Sequence, residues 1–244
     1  MSPMLIIAKR EFRSYFDSPL AYVVICLSFL VLGAFFFLVG NGFWQVERAT
    51  LSRMFELAPY GLAFLVVPVV TMRLIAEEKR SGTLEMLITL PVKDSDVILG
   101  KYLGALGMLM VLVLSTAVYP LAMFWQPWNV GPLDTGPVYA GYLGLFLFSA
   151  TTVAIGLLIS SLTESQSIAF FLTVFVLLFL WLLGRMAAFV GGAPGIVMNF
   201  IAFDTRLSGF WRGLIDTRDV VYFVTVTATC LVIAFRALER RKWA

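Results

Sequence analysis

The sequence contains no histidine, only two cysteines and few charged residues. Of its 244 residues, 14% are charged and 60% are hydrophobic, and its mean hydropathy is +0.92, whereas a soluble domain carries about 25% charged residues. The lack of histidine excludes histidine-ligated metals, histidine general bases and histidine-based pH switches. Cys26 and Cys230 lie in apolar runs, where we interpret them as small buried hydrophobic residues. This composition predicts one integral membrane domain spanning residues 1–244.

Motifs of enzymes and of energy-coupled carriers are also missing. The sequence contains neither H-E-x-x-H nor G-x-S-x-G. Gly100-Lys101 lacks the upstream glycine and the following Ser or Thr of a phosphate-binding loop. No basic stripe interleaved with aromatic residues indicates nucleic-acid binding. We therefore predict a chain that is not an enzyme and holds no cofactor, so any energy it uses enters from a partner protein.

Six apolar segments are long enough to cross a bilayer as helices, which takes about 20 residues each. The first has no cleavage site after it and predicts a retained helix, and Pro68 predicts a kink in the second. No Asp, Glu, Lys or Arg lies in the middle of a span, which argues against a proton pump, a secondary transporter or a charged pore. The predicted spans are residues 20–39, 58–75, 102–124, 139–162, 166–184 and 219–236.

The distribution of basic residues predicts the orientation. With the N-terminus inside, twelve of the 18 Lys and Arg residues lie on the cytoplasmic side and six lie outside. The positive-inside rule therefore places both termini and the connection 73–101 in the cytoplasm of a multi-pass protein of the inner (plasma) membrane.

Short helices are predicted outside the spans. Residues 3–17 predict an amphipathic helix at the membrane interface, capped by Ser2 and with Pro3 at its first position. Between spans five and six we expect one or two short extracytoplasmic helices, which serve either as an interfacial anchor or as a lid over a substrate exit. Their apolar stripe has helical spacing and comprises Leu207, Phe210, Trp211, Leu214 and Ile215.

The connection between spans two and three is unusually rich in charges of both signs. Its helix is expected to end near Gly82, after which Thr83 caps a short helix over residues 84–90 that ends at Pro91. Asp94, Ser95 or Asp96 is then expected to cap the third span. From the residues alone two interpretations stay open, namely a helix that docks in a groove of another protein and a solvated loop that only sets topology.

This connection resembles that of a known family. The stretch "EEKRSGTLEMLITLPVKDSDVILGK" is similar to the cytoplasmic connection of ABC-2-type permeases, the membrane subunits of ATP-binding-cassette exporters. Residues 156–170 resemble the family's second cytoplasmic turn, and residues 203–223 are similar to its gliding-motility-type branch. The positions that match the family's pattern are Glu78, Gly82, Thr83, Glu85, Leu87, Pro91, Gly100 and Lys101.

The resemblance implies partners and a coupling site. The expected partners are two copies of a cytoplasmic ABC ATPase, which hold ATP and Mg²⁺, a second permease copy or a related permease, the lipid bilayer and an extracytoplasmic accessory protein. Residues 77–90 would be the coupling helix seated in the ATPase, and Thr163, Glu164 and Ser165 a second contact. The coupling residues are Glu77, Glu78, Lys79, Arg80, Gly82, Thr83, Leu84, Glu85, Leu87 and Pro91.

Two functions follow from these partners. The first is ATP-driven export or translocation of a lipid-linked or amphipathic cargo, which the uncharged spans favour. The alternative is a mechanical or assembly complex, as in gliding motility, that moves no solute. For the permease dimer, the small-residue pairs Gly100/Gly104 and Ala150/Ala154 are predicted to form the contact.

Overall fold

A computed structural model describes residues 2–37, 51–83, 93–124 and 135–240, and in these ranges the chain forms helices and turns without a strand. The first five helices are α1 (Pro3–Asp17), α2 (Pro19–Phe37), α3 (Ser52–Gly61), α4 (Val67–Thr71) and α5 (Ala76–Ser81), with a π-helical turn at Leu62–Val66 between α3 and α4. The remaining helices are α6 (Asp94–Ser115), α7 (Val118–Phe124), α8 (Thr135–Leu162), α9 (Gln166–Val190), α10 (Gly192–Ile201), α11 (Phe203–Trp211) and α12 (Thr217–Arg240).

Helix α8 forms the centre of the bundle, and α3, α4, α6, α9, α11 and α12 pack around it. Of the most apolar stretch of α8, 83% is buried inside the bundle, against 17% of the corresponding stretch of α12. Small residues explain this position, because a Cβ atom at Gly141 would lie 2.6 Å from the Phe55 ring and one at Gly144 would lie 2.9 Å from Phe210. Glycines on α8 therefore let the aromatic side chains of α3 and α11 approach its backbone closely.

The segment Ser52–Ser81 is one irregular span. Pro68 has no N–H to donate to the carbonyl of the preceding turn, and the π-helical turn Leu62–Val66 lies directly before it. The helix is interrupted again at residues 72–75, before α5 begins. This irregularity agrees with the kink that Pro68 predicted.

Five helical segments are long and apolar enough to cross a membrane on their own. A sixth candidate is the pair Pro3–Asp17 and Ala21–Phe35, which is bent by 72°. The described part of the chain therefore contains five or six candidate spans. The five are Ser52–Ser81, Asp94–Leu121, Thr135–Leu162, Gln166–Val190 and Thr217–Glu239.

Several helix ends differ from the sequence predictions. Helix α6 begins at Asp94, next to the predicted capping residues and ahead of the apolar run that starts at residue 102, because the helix continues through polar residues. Lys93, not one of the three predicted residues, occupies its N-cap position. Ser2 occupies the N-cap position of α1, but its hydroxyl makes no capping hydrogen bond. The cysteines are not core residues, since Cys26 is exposed and Cys230 is half-buried.

The predicted short helices between the fifth and sixth spans are α10 and α11. Leu207 and Phe210 are buried as the stripe predicted, but α11 ends at Trp211 and the chain turns at Gly213, whose φ is +84°. Leu214 and Ile215 therefore lie outside the helix and are exposed, which corrects their assignment to the stripe.

An ion pair joins α11 to α12. The guanidinium group of Arg206 lies 2.8 Å from the Asp219 carboxylate and 4.4 Å from the centre of the Phe200 ring. We call the side of the bundle with this pair the α11 side, and the opposite side, which carries α1, α5 and the turn 163–165, the α1 side.

The predicted orientation can be measured by cysteine labelling in a background without Cys26 and Cys230. A cysteine at Ser81, on the α1 side, is expected to react with a membrane-impermeant maleimide only after the cells are permeabilised. A cysteine at Asn129 is expected to react in intact cells, because the positive-inside rule places the two positions on opposite sides. Labelling of position 81 in intact cells would contradict this orientation.

Candidate functional site: a buried ion cluster on the α1 side

Helix α5 is short and polar, and its end is well defined. Gly82 adopts the left-handed conformation with φ +71°, and its N–H donates to the Lys79 carbonyl. The Ser81 hydroxyl donates to the Glu77 carbonyl at 2.9 Å. The predicted helix end at Gly82 is therefore confirmed, and it follows from the low cost of this conformation for glycine.

A buried lysine joins three helices. Lys101 on α6 is 1% exposed, and its Nζ lies 2.7 Å from Oε1 of Glu78 on α5 and 2.9 Å from Oε1 of Glu11 on α1. Arg10 approaches the same Glu78 oxygen at 3.7 Å. Both carboxylates are largely buried, at 14% exposure for Glu11 and 16% for Glu78. Two acids and two bases thus balance in charge, which is how a protein can hold ions away from water.

Close packing of α1 on α6 makes this cluster possible. A Cβ atom at Gly100 would lie 2.8 Å from the Ile7 side chain, and one at Gly104 would lie 2.6 Å from Cβ of Glu11. The two glycines therefore form the surface on which α1 rests, and Glu11 can reach Lys101. The prediction that this pair forms the permease dimer contact is wrong, because α1 of the same chain already covers it.

A polar cavity of about 340 Å³ opens beside the ion cluster. At its wall the Tyr15 hydroxyl donates to the Val70 carbonyl at 3.0 Å. The interruption of the helix at residues 72–75 leaves this carbonyl without its usual partner four residues later, so Tyr15 supplies a hydrogen bond that the span lacks. A second link thereby joins α1 to the irregular span.

Helix α5 is also joined to the end of α8. The Ser160 hydroxyl oxygen accepts hydrogen bonds from the backbone N–H groups of Ile75 and Ala76, both at 3.1 Å. The Lys79 ammonium group donates to the Ser161 carbonyl. Ser160 is fully buried, so these hydrogen bonds satisfy buried backbone N–H groups that water cannot reach.

The described part of the first predicted contact region, residues 77–83, therefore lies on the same side of the bundle as the second region. Thr163, Glu164 and Ser165 directly follow α8, and the Thr163 hydroxyl donates to the Ile159 carbonyl at 3.1 Å. Glu164 is exposed and its two neighbours are partly buried.

The other predicted residues fall into three groups. Glu77, Arg80, Gly82 and Thr83 are exposed. Glu78 and Lys79 are partly buried and make the contacts within the chain described above. Leu84, Glu85, Leu87 and Pro91, together with the predicted helix 84–90, lie outside the described residues.

Sequence reasoning missed the centre of the cluster. It assigned Lys101 only to the opening of a span and did not single out Glu11 or Ser160. The signal for Glu11 was its position among Ala8, Phe12 and Tyr15, at the spacing of the buried face of a helix. A charged residue on such a face requires a partner of opposite charge.

The cluster connects three helices through ion pairs. In the described ranges, no group of three or more His, Cys, Asp or Glu residues is arranged to hold a metal ion. Charge-assisted hydrogen bonds are stronger than neutral ones, so α1, α5 and α6 are held together where the span Ser52–Ser81 ends.

A family model described as "ABC-2 family transporter protein" matches residues 5–243, and the chain belongs to this family. It is accordingly the multi-pass membrane component of an ABC transporter. Such components lack the ATPase site and work with an ABC ATPase. A search of curated proteins found no match.

Proposed function

We propose that this chain is the permease subunit of an ATP-driven exporter, and that it receives energy from a separate ATPase through residues 77–90 on the α1 side. In this proposal the α1 side faces the cytoplasm of a cell with the protein in its inner membrane. The cargo is lipid-linked or amphipathic. The observation that carries the proposal is the attachment of α5 to α1, α6 and α8 through Lys101, Ser160 and Ser161.

These attachments would convert a push on α5 into movement of the bundle. Helix α5 is short, so an applied force would displace it as a unit and bend it little. The Glu78–Lys101 pair passes the displacement to α6, and the bonds at Ser160 and Ser161 pass it to the central helix α8. Because polar contacts away from water resist separation, the three helices would move together.

The exposed groups on α5 provide a surface for the ATPase. Glu77 and Arg80 are exposed, and Glu164 on the turn after α8 is a further exposed charge on the same side. In this proposal Glu78 acts within the chain, since its carboxylate contacts Lys101. A direct ATPase contact is therefore better sought at Glu77, Leu84, Glu85 and Leu87.

The assembly we propose contains two permease chains and two ATPase subunits. The permeases form a homodimer or a pair with a related chain, and an accessory protein on the other side is a further partner. The ATP and Mg²⁺ belong to the ATPase subunits.

The alternative function is a mechanical or assembly complex of the gliding-motility type, which would use the same coupling surface without moving a solute. It rests on the resemblance of residues 203–223 to that branch. Transport of a candidate amphiphile by the reconstituted complex favours the exporter, whereas ATP hydrolysis that responds only to a protein partner favours the alternative.

The coupling surface is tested by Leu84→Asp and by the pair Glu77→Lys with Glu85→Lys. We expect loss of ATPase co-purification and of cargo-stimulated ATP hydrolysis, because truncating a charge pair at a partly buried interface costs about 2–5 kcal/mol. Membrane insertion should be unchanged, since added Lys favours the cytoplasmic side and an added Asp has little influence on orientation.

Glu239→Lys is the matched control. Glu239 lies at the end of α12 and pairs with Arg236 in an exposed contact, and such a pair contributes about 1 kcal/mol or less. If the variants at residues 77, 84 and 85 retain full coupled activity, energy enters the permease elsewhere.

A further inference from the structure

An apolar cavity lies on the α11 side, and none of its lining residues belongs to the ion cluster. Its volume is about 610 Å³, within the range of about 300–1,000 Å³ typical of small-molecule sites. The cavity is lined by the second half of α2, by the segment from α3 through the π-helical turn, and by α6 and α8. Most of its lining is apolar, including Phe29, Leu32, Phe64, Leu65, Leu112 and Leu145.

Its charged groups are confined to the rim. Glu56 on α3 and Arg185 on α9 both line the cavity and are exposed. Arg185 donates to the Tyr60 hydroxyl at 3.1 Å, which directs the guanidinium group toward the cavity mouth. In the described part of the chain Glu56 and Arg185 form no ion pair with each other.

The environment of Arg185 contains a further acid. Asp204 lies at the start of α11, where burial raises the pKa of its carboxyl group and the nearby charge of Arg185 opposes that rise. Asp204 itself does not line the cavity, so the rim offers one cation, Arg185, and one acid, Glu56. Such a rim favours a head group that carries both a negative and a positive charge.

We propose that this cavity binds a zwitterionic amphiphile. Its hydrocarbon tail occupies the apolar interior, its anionic oxygen accepts hydrogen bonds from Arg185, and its ammonium group lies against Glu56. An apolar interior below a rim with both charges suits such a molecule, because the tail leaves water while each charge of the head meets a partner.

This assignment names the cargo class of the proposed exporter and, as a statement about cargo, rests on that function. Binding of the amphiphile to the permease alone does not depend on that function. The same chemistry is present in a resident phospholipid, so the experiment has one arm for binding and another for transport.

Binding is measured by native mass spectrometry of the purified full chain with three probes of equal tail length, namely lysophosphatidylethanolamine, lysophosphatidylglycerol and an alkyl glucoside. The first is zwitterionic, the second is anionic and the third is uncharged. We expect one bound lysophosphatidylethanolamine per chain, with an affinity about tenfold above that for lysophosphatidylglycerol, because a charge-assisted hydrogen bond is lost in the anionic probe.

Three variants locate the bound molecule. Arg185→Gln is expected to weaken lysophosphatidylethanolamine about tenfold, and Glu56→Gln to abolish the preference over lysophosphatidylglycerol. Gly61→Leu should fill the cavity and weaken every probe about tenfold without a loss of thermal stability, since a Cβ at Gly61 meets nothing within 4 Å. Arg218→Gln removes an exposed arginine that does not line the cavity and should leave binding unchanged.

Two results would overturn the site. Equal affinity for all three probes would show that the rim does not recognise the head group, and binding that survives both Gly61→Leu and Arg185→Gln would place the amphiphile elsewhere. For the transport arm, the complex with its ATPase should hydrolyse ATP faster with lysophosphatidylethanolamine, and Gly61→Leu should remove that response. Binding without stimulation would overturn the cargo assignment and identify a resident lipid.

Discussion

Replacing Lys101 by methionine is expected to reduce the free energy of unfolding by about 3–5 kcal/mol, because two carboxylates would remain in a largely buried site without their shared cation. Lys101 is 1% exposed and lies within 3 Å of both Glu11 and Glu78. Arg10 can compensate only in part, since it reaches Glu78 at 3.7 Å and is itself 61% exposed. Denaturant titration of the purified chain in detergent measures the loss.

Two controls separate the effect of the buried ion cluster from the effect of removing any cation. Arg80→Met removes an exposed cation on the same side and should change stability by less than about 1 kcal/mol. Combining Lys101→Met with Glu11→Gln and Glu78→Gln removes all three charges and should restore most of the stability, because a buried ion cluster can be exchanged for neutral residues at little cost. A single Lys101→Met variant as stable as the unaltered protein would contradict the arrangement.

The neutral triple variant also separates stability from coupling. If the cluster only holds the fold together, the variant should hydrolyse ATP in response to cargo as the unaltered complex does. If it transmits movement from α5, as we propose, the variant should bind the ATPase normally while its cargo-stimulated hydrolysis falls. Co-purification and ATPase assays on the same preparations distinguish the two.

Substituting Gly104 by leucine is expected to displace α1 from α6 and to cost about 3 kcal/mol, at the upper end of what overpacking usually costs. A Cβ at this position would lie 2.6 Å from Cβ of Glu11 and 3.0 Å from the Ala8 carbonyl oxygen. The obstacle is largely backbone, so a side-chain rotation cannot relieve it. Hydrogen exchange should show faster exchange of the α1 amides, together with a lower melting temperature.

Gly61→Leu is the matched control, since the same substitution there meets open space and replaces a helical glycine by a better helix former. Its melting temperature should be unchanged or higher. Unaltered protection of α1 in Gly104→Leu would show that α1 does not rest on this surface.

The apolar runs located the spans because a bilayer imposes a minimum length of apolar helix that is visible in any sequence. The apolar runs do not give the ends of the helices, as the start of α6 shows, because a helix continues through polar residues wherever caps and neighbours satisfy its backbone. Gly82 was predictable since its conformation depends on local geometry, whereas Leu214 and Ile215 were misassigned because the chain reverses at Gly213.

The sequence by itself determined that this chain is a helical membrane protein with one charged connection, since composition, apolar length and turn residues act over short distances along the chain. Only the tertiary structure decided what the charges in that connection contact. Lys101 meets Glu11 across 90 residues and Glu78 across 23, and Ser160 meets Ile75 across 85. Such pairings depend on how the helices pack around α8, and the spacing of residues in one sequence carries no record of that packing.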